Sequence, residues 1–162
     1  MPVLRLPGDE AFARFSATLV ASNLRNALAH LLSLTTYRFI AMFTFQDGLA
    51  HAVIYYDKEN PQDEYTQQTM DSSTYCCSVR DSQGVFMTSN AMLDTRTKDH
   101  PQREIIPAYC GIPILDAEGL ILGTLCHYDV VSHNPEQIDL PLILSVASAL
   151  ARGNHVRPYQ IA

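Results

Sequence analysis

Seven side chains carry the chemistry of this sequence: Cys76, Asn90, Asp94, Arg96, Tyr109, Cys126 and His127. Thiols, a phenol, an imidazole and an opposed acid and guanidinium supply donors, acceptors and charge, enough to orient a small molecule against apolar walls such as Phe43 or Ile112. Thiol catalysis is a narrower reading. It needs a nucleophilic thiolate with a second cysteine in reach, which here means Cys76 or Cys77 approaching Cys110. A metal would need several ligands facing one point, yet the six histidines are scattered, without a pair at i, i+4 spacing, and no Cys-x-x-Cys occurs. No Ser-His-Asp pattern or phosphate-cradling glycine loop is present either. His51 and His100 read as structural residues, so the expected site is a ligand site with no catalytic or metal residue and with no cofactor named.

The elements that position these groups are legible in part. Tyr109 to Leu115 and Leu120 to Tyr128 are apolar runs around Asp116-Ala117-Glu118-Gly119, a hairpin signal with glycine available for left-handed backbone. Pairing Leu115 with Leu120 places Gly123 opposite Ile112 and Thr124 opposite Gly111, leaving room in mid-strand for a close approach. The same register puts Cys110 on one face with Ile112 and Leu125, and Cys126 on the other with Tyr109 and Thr124. His127, one residue on, points away from Cys126.

Asp47-Gly48 between Tyr37 to Gln46 and Leu49 to Tyr56 predicts a type I′ hairpin. Phe39, Ala41, Phe43 and Phe45 then share a face with Ala50, Ala52 and Ile54, while Ile40, Met42 and Val53 share the other. Two apolar faces mean a sheet covered on both sides. Asp9 to Thr35 has helical spacing, with Asp9 as its cap and Asn23 placed to divide it. Asp57 to Asp71 reads as a surface connection, followed by a short helix to Asp81 capped by Ser72 or Ser73, and by a short strand from Val85 to Ser89. Asn90 to Pro107 is a long polar loop of the kind that carries function, a natural lid. Asn134-Pro135-Glu136-Gln137 opens a terminal helix in which Pro141 forces a kink or a restart after Asp139; Gly153 ends it, and 152–162 is a tail.

Tyr109-x-Gly111-x-Pro113-Ile114, the Asp116-x-x-Gly119 turn and Leu122-Gly123-Thr124-Leu125-Cys126-x-x-Asp129 together resemble the GAF domains of bacterial sensory and regulatory proteins. Cys76 with Val79, Asn90-Ala91, and Arg96 with His100-Pro101 fit the same family in the same order, so the resemblance covers about Asp9 to Ala151. Asn90 stands where the family often has an acid, and Val130 to Asn134 replace a usual Pro-Arg pair. The resemblance implies an α+β, α/β/α sandwich: a central antiparallel sheet with the N- and C-terminal helices on one face and a short helix plus long loop over a pocket on the other. It also implies a small ligand of unspecified kind.

Photosensory relatives anchor bilins through a helical Cys-His pair; Cys126-His127 is in a strand, so attachment is not expected. The Asn-Lys-Phe-Asp-Glu signature of cyclic-nucleotide-binding relatives is absent, and the cysteine spacing departs from the three-cysteine pattern of GAF proteins that reduce free methionine sulfoxide.

With 162 residues, 47% of them hydrophobic, the chain suits a single domain able to bury about 70% of its extended surface. No apolar run approaches the roughly 20 residues that span a bilayer, and no signal segment opens the chain, so a cytoplasmic location is expected, without membrane contact. A net charge of −6 with no basic run excludes nucleic acid as a partner. Four cysteines, two of them adjacent, read as reduced thiols. Apolar residues spread over more than one stripe of the terminal helices lead to an expected homodimer. Three functions follow in order: a sensory module signalling to a separate effector protein or its dimer mate, a thiol-dependent reductase of free methionine sulfoxide, and a ligand-free dimerisation or adaptor domain.

Overall fold

Asn23 divides the N-terminal helical stretch as its position requires. The computed structural model describes residues 8–63, 68–70, 75–133, 138–153 and 155, with backbone only at 68–70. In it α1 spans Gly8–Ala21 and α2 spans Leu24–Ser33. Asn23 sits in extended backbone, and its side-chain oxygen accepts the Asn26 N–H at 2.8 Å, satisfying an orphan donor of the new helix. Asp9 is not the cap of α1, which begins one residue earlier. It lies in the first turn, where its charge faces the positive end of the helix.

Strands β1 (Phe39–Gln46) and β2 (Leu49–Asp57) meet at Asp47 and Gly48, whose φ values of 53° and 74° are those a type I′ turn demands. Thr44 faces His51 as the two-residue loop dictates, but a bulge between Met42 and Phe43 then sets Met42 opposite Ile54 and Phe43 opposite Ala52. Val53 is the extra residue and is 39% exposed, while Ile54 changes face and packs with Ile40 and Met42.

The connection after β2 contributes an unforeseen edge strand, β3 (Gln68–Met70), paired with Leu49 to His51. There follow α3 (Cys76–Ser82), β4 (Phe86–Thr88), an irregular cap over 90–107 containing one 3-10 turn at Thr95–Thr97, β5 (Ala108–Leu115), β6 (Ile121–Asp129) and α4 (Leu140–Arg152). Ser72, Ser73 and the segment 134–137 lie outside the described residues. α4 starts after Asp139, whose carboxylate accepts the Leu142 N–H at 3.2 Å, and Pro141 occupies the first turn, where a missing N–H costs nothing.

The sheet is six-stranded and antiparallel in the order β3-β2-β1-β6-β5-β4. On one face, Phe15 of α1, Leu28, Leu31 and Leu32 of α2, and Ile143, Val146 and Leu150 of α4 pack on Ile40, Ile112, Ile114 and Leu125. Each such side chain contributes about 1.5–3 kcal/mol by leaving water. The other face carries a smaller cluster in which Tyr75, Cys76, Val79 and Ala91 pack on Tyr109 and Cys126. The architecture is therefore the expected α+β sandwich.

One register needs correction. Ile112 pairs with Leu125, Pro113 with Thr124 and Gly111 with Cys126, two residues away from the expected pairing, with a bulge between Ile114 and Leu115. Asp116 accounts for it: its carboxylate accepts the N–H groups of Glu118 and Leu120, both at 2.9 Å, so Leu120 belongs to the turn rather than to the strand. A two-residue shift preserves which residues share a face. Among the described residues no helix is long and apolar enough to cross a membrane.

Candidate functional site

The centre of the smaller cluster is a triangle of two thiols and a phenol. Cys76 opens α3, Tyr109 comes from β5 and Cys126 from β6. The Tyr109 hydroxyl lies 2.8 Å from Cys126 Sγ and 3.3 Å from Cys76 Sγ, and the two sulfurs are 3.4 Å apart. Gly111 makes this possible. It sits beside Cys126 in the sheet, and a Cβ there would come within 2.6 Å of Tyr109 Cε1, so the ring lies over the glycine. The close approach that small residues permit is thus made by Tyr109 itself.

Cys76, Tyr109 and Cys126 are 1%, 3% and 0% exposed. Burial, reinforced by the neighbouring Cys76 thiol, pushes the Cys126 thiol well above its ordinary range, and burial does the same to the Tyr109 phenol. Tyr109 and Cys126 are accordingly neutral hydrogen-bonded groups at physiological pH. In this closed arrangement Cys126 is a thiol, not the thiolate that nucleophilic chemistry needs.

Aromatic rings pack around the triangle. Tyr75 stacks on His100 with centroids 4.1 Å apart and leans on Tyr109 at 5.1 Å, while Phe86 closes the edge at 6.2 Å from Tyr109. The Tyr75 hydroxyl donates to the Ile106 carbonyl at 3.1 Å, and burial raises its pKa to about 12. His100 accepts the Gln102 N–H at Nδ1. Sequence reasoning placed neither Tyr75 nor Phe86 in the site and read His100 as a turn residue. The only available signal was the adjacency of Tyr75 to Cys76.

Three of the expected site residues instead build the cap. Asn90 Oδ1 accepts the Met92 N–H, and Asp94 begins the 3-10 turn by accepting the Arg96 N–H at 3.0 Å. The Arg96 guanidinium returns to the same carboxylate at 2.7 and 3.1 Å, donates to the Met87 carbonyl and lies over the Phe86 ring. These hydrogen bonds hold the Asp94 carboxyl far below its usual range. Arg96 is largely exposed, so the pair fastens the cap to β4 from outside the triangle. Ala91 N–H to the Pro107 carbonyl and Thr97 Oγ1 to the Ala91 carbonyl close the cap at its base. The expected lid is a hydrogen-bonded structure.

His127 is separated from the other six. Strand alternation turns it to the helix face, between Ile40 and Cys110, where it is fully buried and neither ring nitrogen has a partner among the described residues. Burial, aided by the Lys58 charge, lowers its pKa to about 3. A histidine held neutral in the fold and protonated when unfolded contributes stability that is complete above pH 6.5 and is lost as pH falls from 6.5 to 3. His127→Leu should therefore leave stability at pH 7 unchanged or raised by about 1 kcal/mol and remove that part of the acid slope, as urea titrations across this range would measure. A loss above 2 kcal/mol at pH 7 would mean that the ring is satisfied. Cys110 lies on the same face, its thiol raised to about 12 by burial, so the sheet separates it from Cys76. The approach of Cys76 or Cys77 to Cys110 that thiol catalysis would require is not made by Cys76, which meets Cys126 instead.

The structure also aligns three groups that no sequence pattern announced. Thr36 Oγ1 is 3.0 Å from His133 Nδ1, and His133 Nε2 is 2.6 Å from Asp129 Oδ2. Asp129 further accepts the backbone N–H groups of Arg38 and Val130, and Tyr37 stacks on the imidazole at 4.2 Å. With its carboxylate committed to backbone donors on both sides, Asp129 clamps the α2–β1 connection to the end of β6. Among the described residues, no group of three or more His, Cys, Asp and Glu side chains is placed to hold a metal.

No family model matches the sequence. A 72-residue stretch is 36% identical to part of a cyclic di-GMP phosphodiesterase from Pseudomonas aeruginosa; the match takes in 43% of this chain and 12% of that enzyme. In three dimensions the chain is similar to the GAF domain of an Acinetobacter phosphoenolpyruvate-protein phosphotransferase, with a TM-score of 0.70 and 9% identity over 92% of this chain and 93% of that one. A free methionine-R-sulfoxide reductase from Neisseria meningitidis, in complex with its substrate, matches with a TM-score of 0.70 and 12% identity over 94% and 93% of the two chains. A phycocyanobilin-bound GAF domain from a cyanobacterial phytochrome gives a TM-score of 0.70 and 11% identity over 93% and 95%.

Proposed function

Because the chain has a GAF-like domain fold, we propose that it is a cytoplasmic sensory module that binds a small molecule and passes its occupancy to a separate effector or to a second copy of itself. The observation that carries this reading is the smaller cluster: phenol, imidazole, aromatic ring and sulfur gathered under a cap, on the sheet face turned away from the terminal helices. Apolar walls with a few convergent polar groups are how small-molecule sites are built. Tyr75, Phe86, His100 and Tyr109 supply the walls, and the backbone of 90–107 supplies polar groups. Binding regulates by favouring one arrangement of the cap, in proportion to the difference in affinity between the two arrangements. The local likeness to a small part of a much longer phosphodiesterase supports a regulatory role. Phe12, Leu144, Ser145, Ser148 and Arg152 line a groove between α1 and α4, and exposed Val20 adds apolar surface to the same helices, which is where the second copy would pack.

Native mass spectrometry of freshly purified protein tests the proposal, together with amide exchange in 90–107. A retained small molecule, or a small-metabolite panel member that raises the melting temperature and slows cap exchange, is the expected result. A stabilising ligand that leaves cap exchange unchanged would overturn the mechanism but not the binding. The sulfoxide-reductase neighbours and the contact of Cys76 with Cys126 raise a second reading, a thiol reductase. Against it stands the raised pKa of the buried Cys126 thiol, so turnover of free methionine sulfoxide with a dithiol reductant is expected to be nil; turnover that vanishes in Cys76→Ser would reverse the order of the two readings.

A further inference from the structure

We infer that Cys76 and Cys126 form an oxidation site, at which a hydroperoxide converts the two thiols into a disulfide that staples α3 to β6. The sulfurs come from separate elements 50 residues apart in sequence and are already 3.4 Å from each other. A disulfide needs about 2.05 Å, so the two sulfurs have only the remainder of that 3.4 Å to close. Neither of the other cysteines competes for the same partner. Cys110 is on the opposite face of the sheet, and Cys77, half-buried, is the next residue of a helix in which neighbours do not share a direction. The Tyr109 hydroxyl touches both sulfurs and must turn aside as they join, while Thr124 Oγ1 also lies 3.4 Å from Cys126 Sγ.

Access comes through α3. The helix has only seven residues, Tyr75 at its start provides no side-chain cap, and Gln83 at its end is held in left-handed backbone at φ 51°. Short helices with such ends open locally more readily than the strands beneath them. In an opened α3 Cys76 reaches water, where a thiol ionises near pH 8.5. The Cys76 thiolate attacks one peroxide oxygen and the O–O bond breaks. Cys76 becomes a sulfenic acid, and the other oxygen leaves as water or an alcohol after taking a proton. While α3 is still open, Cys126 is also uncovered and can ionise; its thiolate attacks the Cys76 sulfur, the S–O bond breaks, and hydroxide departs as water with the proton that Cys126 gave up, after which α3 recloses over the disulfide. Two thiols have lost two electrons, and the peroxide has gained them. A dithiol reverses the link by exchange.

The closed product fixes Cys76, and with it Val79, against the sheet, so the face that carries the aromatic cluster loses its freedom to open. The test uses the full chain under native conditions. Reduced protein is treated with hydrogen peroxide, alkylated and digested without reductant. The expected result is a Cys76-to-Cys126 cross-linked peptide and a slowing of α3 amide exchange by about tenfold or more, both reversed by dithiothreitol. A Cys77→Ser, Cys110→Ala double variant should give the same link. Cys126→Ala should give none and should leave a dimedone-reactive sulfenic acid at Cys76. The inference is overturned if the cross-link involves Cys77 or Cys110, if it appears only in urea, or if both thiols stay unlinked while the protein remains folded.

Discussion

Tyr109→Ala is expected to lower the unfolding free energy by about 3–5 kcal/mol, the range for removing a large buried ring. The ring is nearly inaccessible, lies against Tyr75 and Phe86 and fills the space above Gly111, so its loss leaves a hole bounded by rings and sulfur. Tyr109→Phe keeps the ring and deletes only the hydroxyl that touches Cys76 and Cys126. Its cost should stay at about 0.5–1.5 kcal/mol, because thiols are weak partners and little desolvation is left uncompensated. Urea titration of the three proteins gives both numbers, and equal losses in Phe and Ala would locate the stabilisation in the hydroxyl rather than in packing.

The same geometry predicts a coupling. Gly111→Ala introduces a methyl carbon 2.6–2.7 Å from ring carbons of Tyr109, which no real contact tolerates, so the ring must leave its place at about 1–3 kcal/mol. In the Tyr109→Ala background the methyl meets no ring, and its cost should fall close to zero, giving a coupling energy of about 1–3 kcal/mol. p-Cresol, which is the missing side chain, should raise the melting temperature of Tyr109→Ala and leave the parent unmoved, since a dry cavity of this kind accepts a ring of matching shape. If cresol has no effect and the coupling is absent, the space collapses when the ring is gone and Tyr109 does not hold a pocket open.

How much of this was legible can be traced residue by residue. The pairing of Tyr109 with Cys126 on one face, and the exile of Cys110 and His127 to the other, follow from strand alternation and survived a register error, since the error was two residues and parity was kept. The error itself came from Asp116. Its double acceptance of backbone N–H groups moves Leu120 into the turn, and nothing in Asp-x-x-Gly announces how many residues the carboxylate will gather. The bulge at Met42 and Phe43 was hidden for a similar reason: Val53 and Ile54 are both apolar, so the pattern reads equally well in either register. Cap residues were recognised as a group, but nothing in the sequence showed that Asp94 and Arg96, two positions apart, bind each other outside the triangle. Contacts such as Thr36 to His133 span 97 residues and leave no local trace.

Asp57 should have the second large effect. Its side chain is 3% exposed, and its two oxygens accept from Arg38 Nε at 2.8 Å, Arg38 Nη2 at 2.9 Å, the Glu59 N–H and Asn60 Nδ2. Arg38 also lies over the Phe39 ring, and its backbone N–H is bound by Asp129, so the carboxylate ties the end of β2 to the start of β1 and, through Asp129, to the end of β6, the strand that carries Cys126. The Arg38 hydrogen bonds lower the Asp57 pKa from 3.8 to about 2. A carboxylate whose pKa is depressed by folding contributes stability that is present above 3.8 and is lost as pH falls from 3.8 to 2, about 2 kcal/mol for this shift.

Asp57→Asn replaces an acceptor by a donor facing guanidinium N–H groups and should cost about 2–4 kcal/mol at pH 7, less than a fully buried pair because Arg38 remains partly solvated and keeps Glu59 at 2.6 Å. Its signature is in the pH dependence. The parent should lose stability in two windows, from 6.5 down to 3 through His127 and below 3.8 through Asp57 together with Asp94. His127→Leu should flatten the first and spare the second, whereas Asp57→Asn should spare the first and reduce the second to the part that Asp94 contributes. An Asp57→Asn protein that keeps the full slope below pH 3.8 would assign acid sensitivity to other carboxylates and remove Asp57 as the pin of the strand ends.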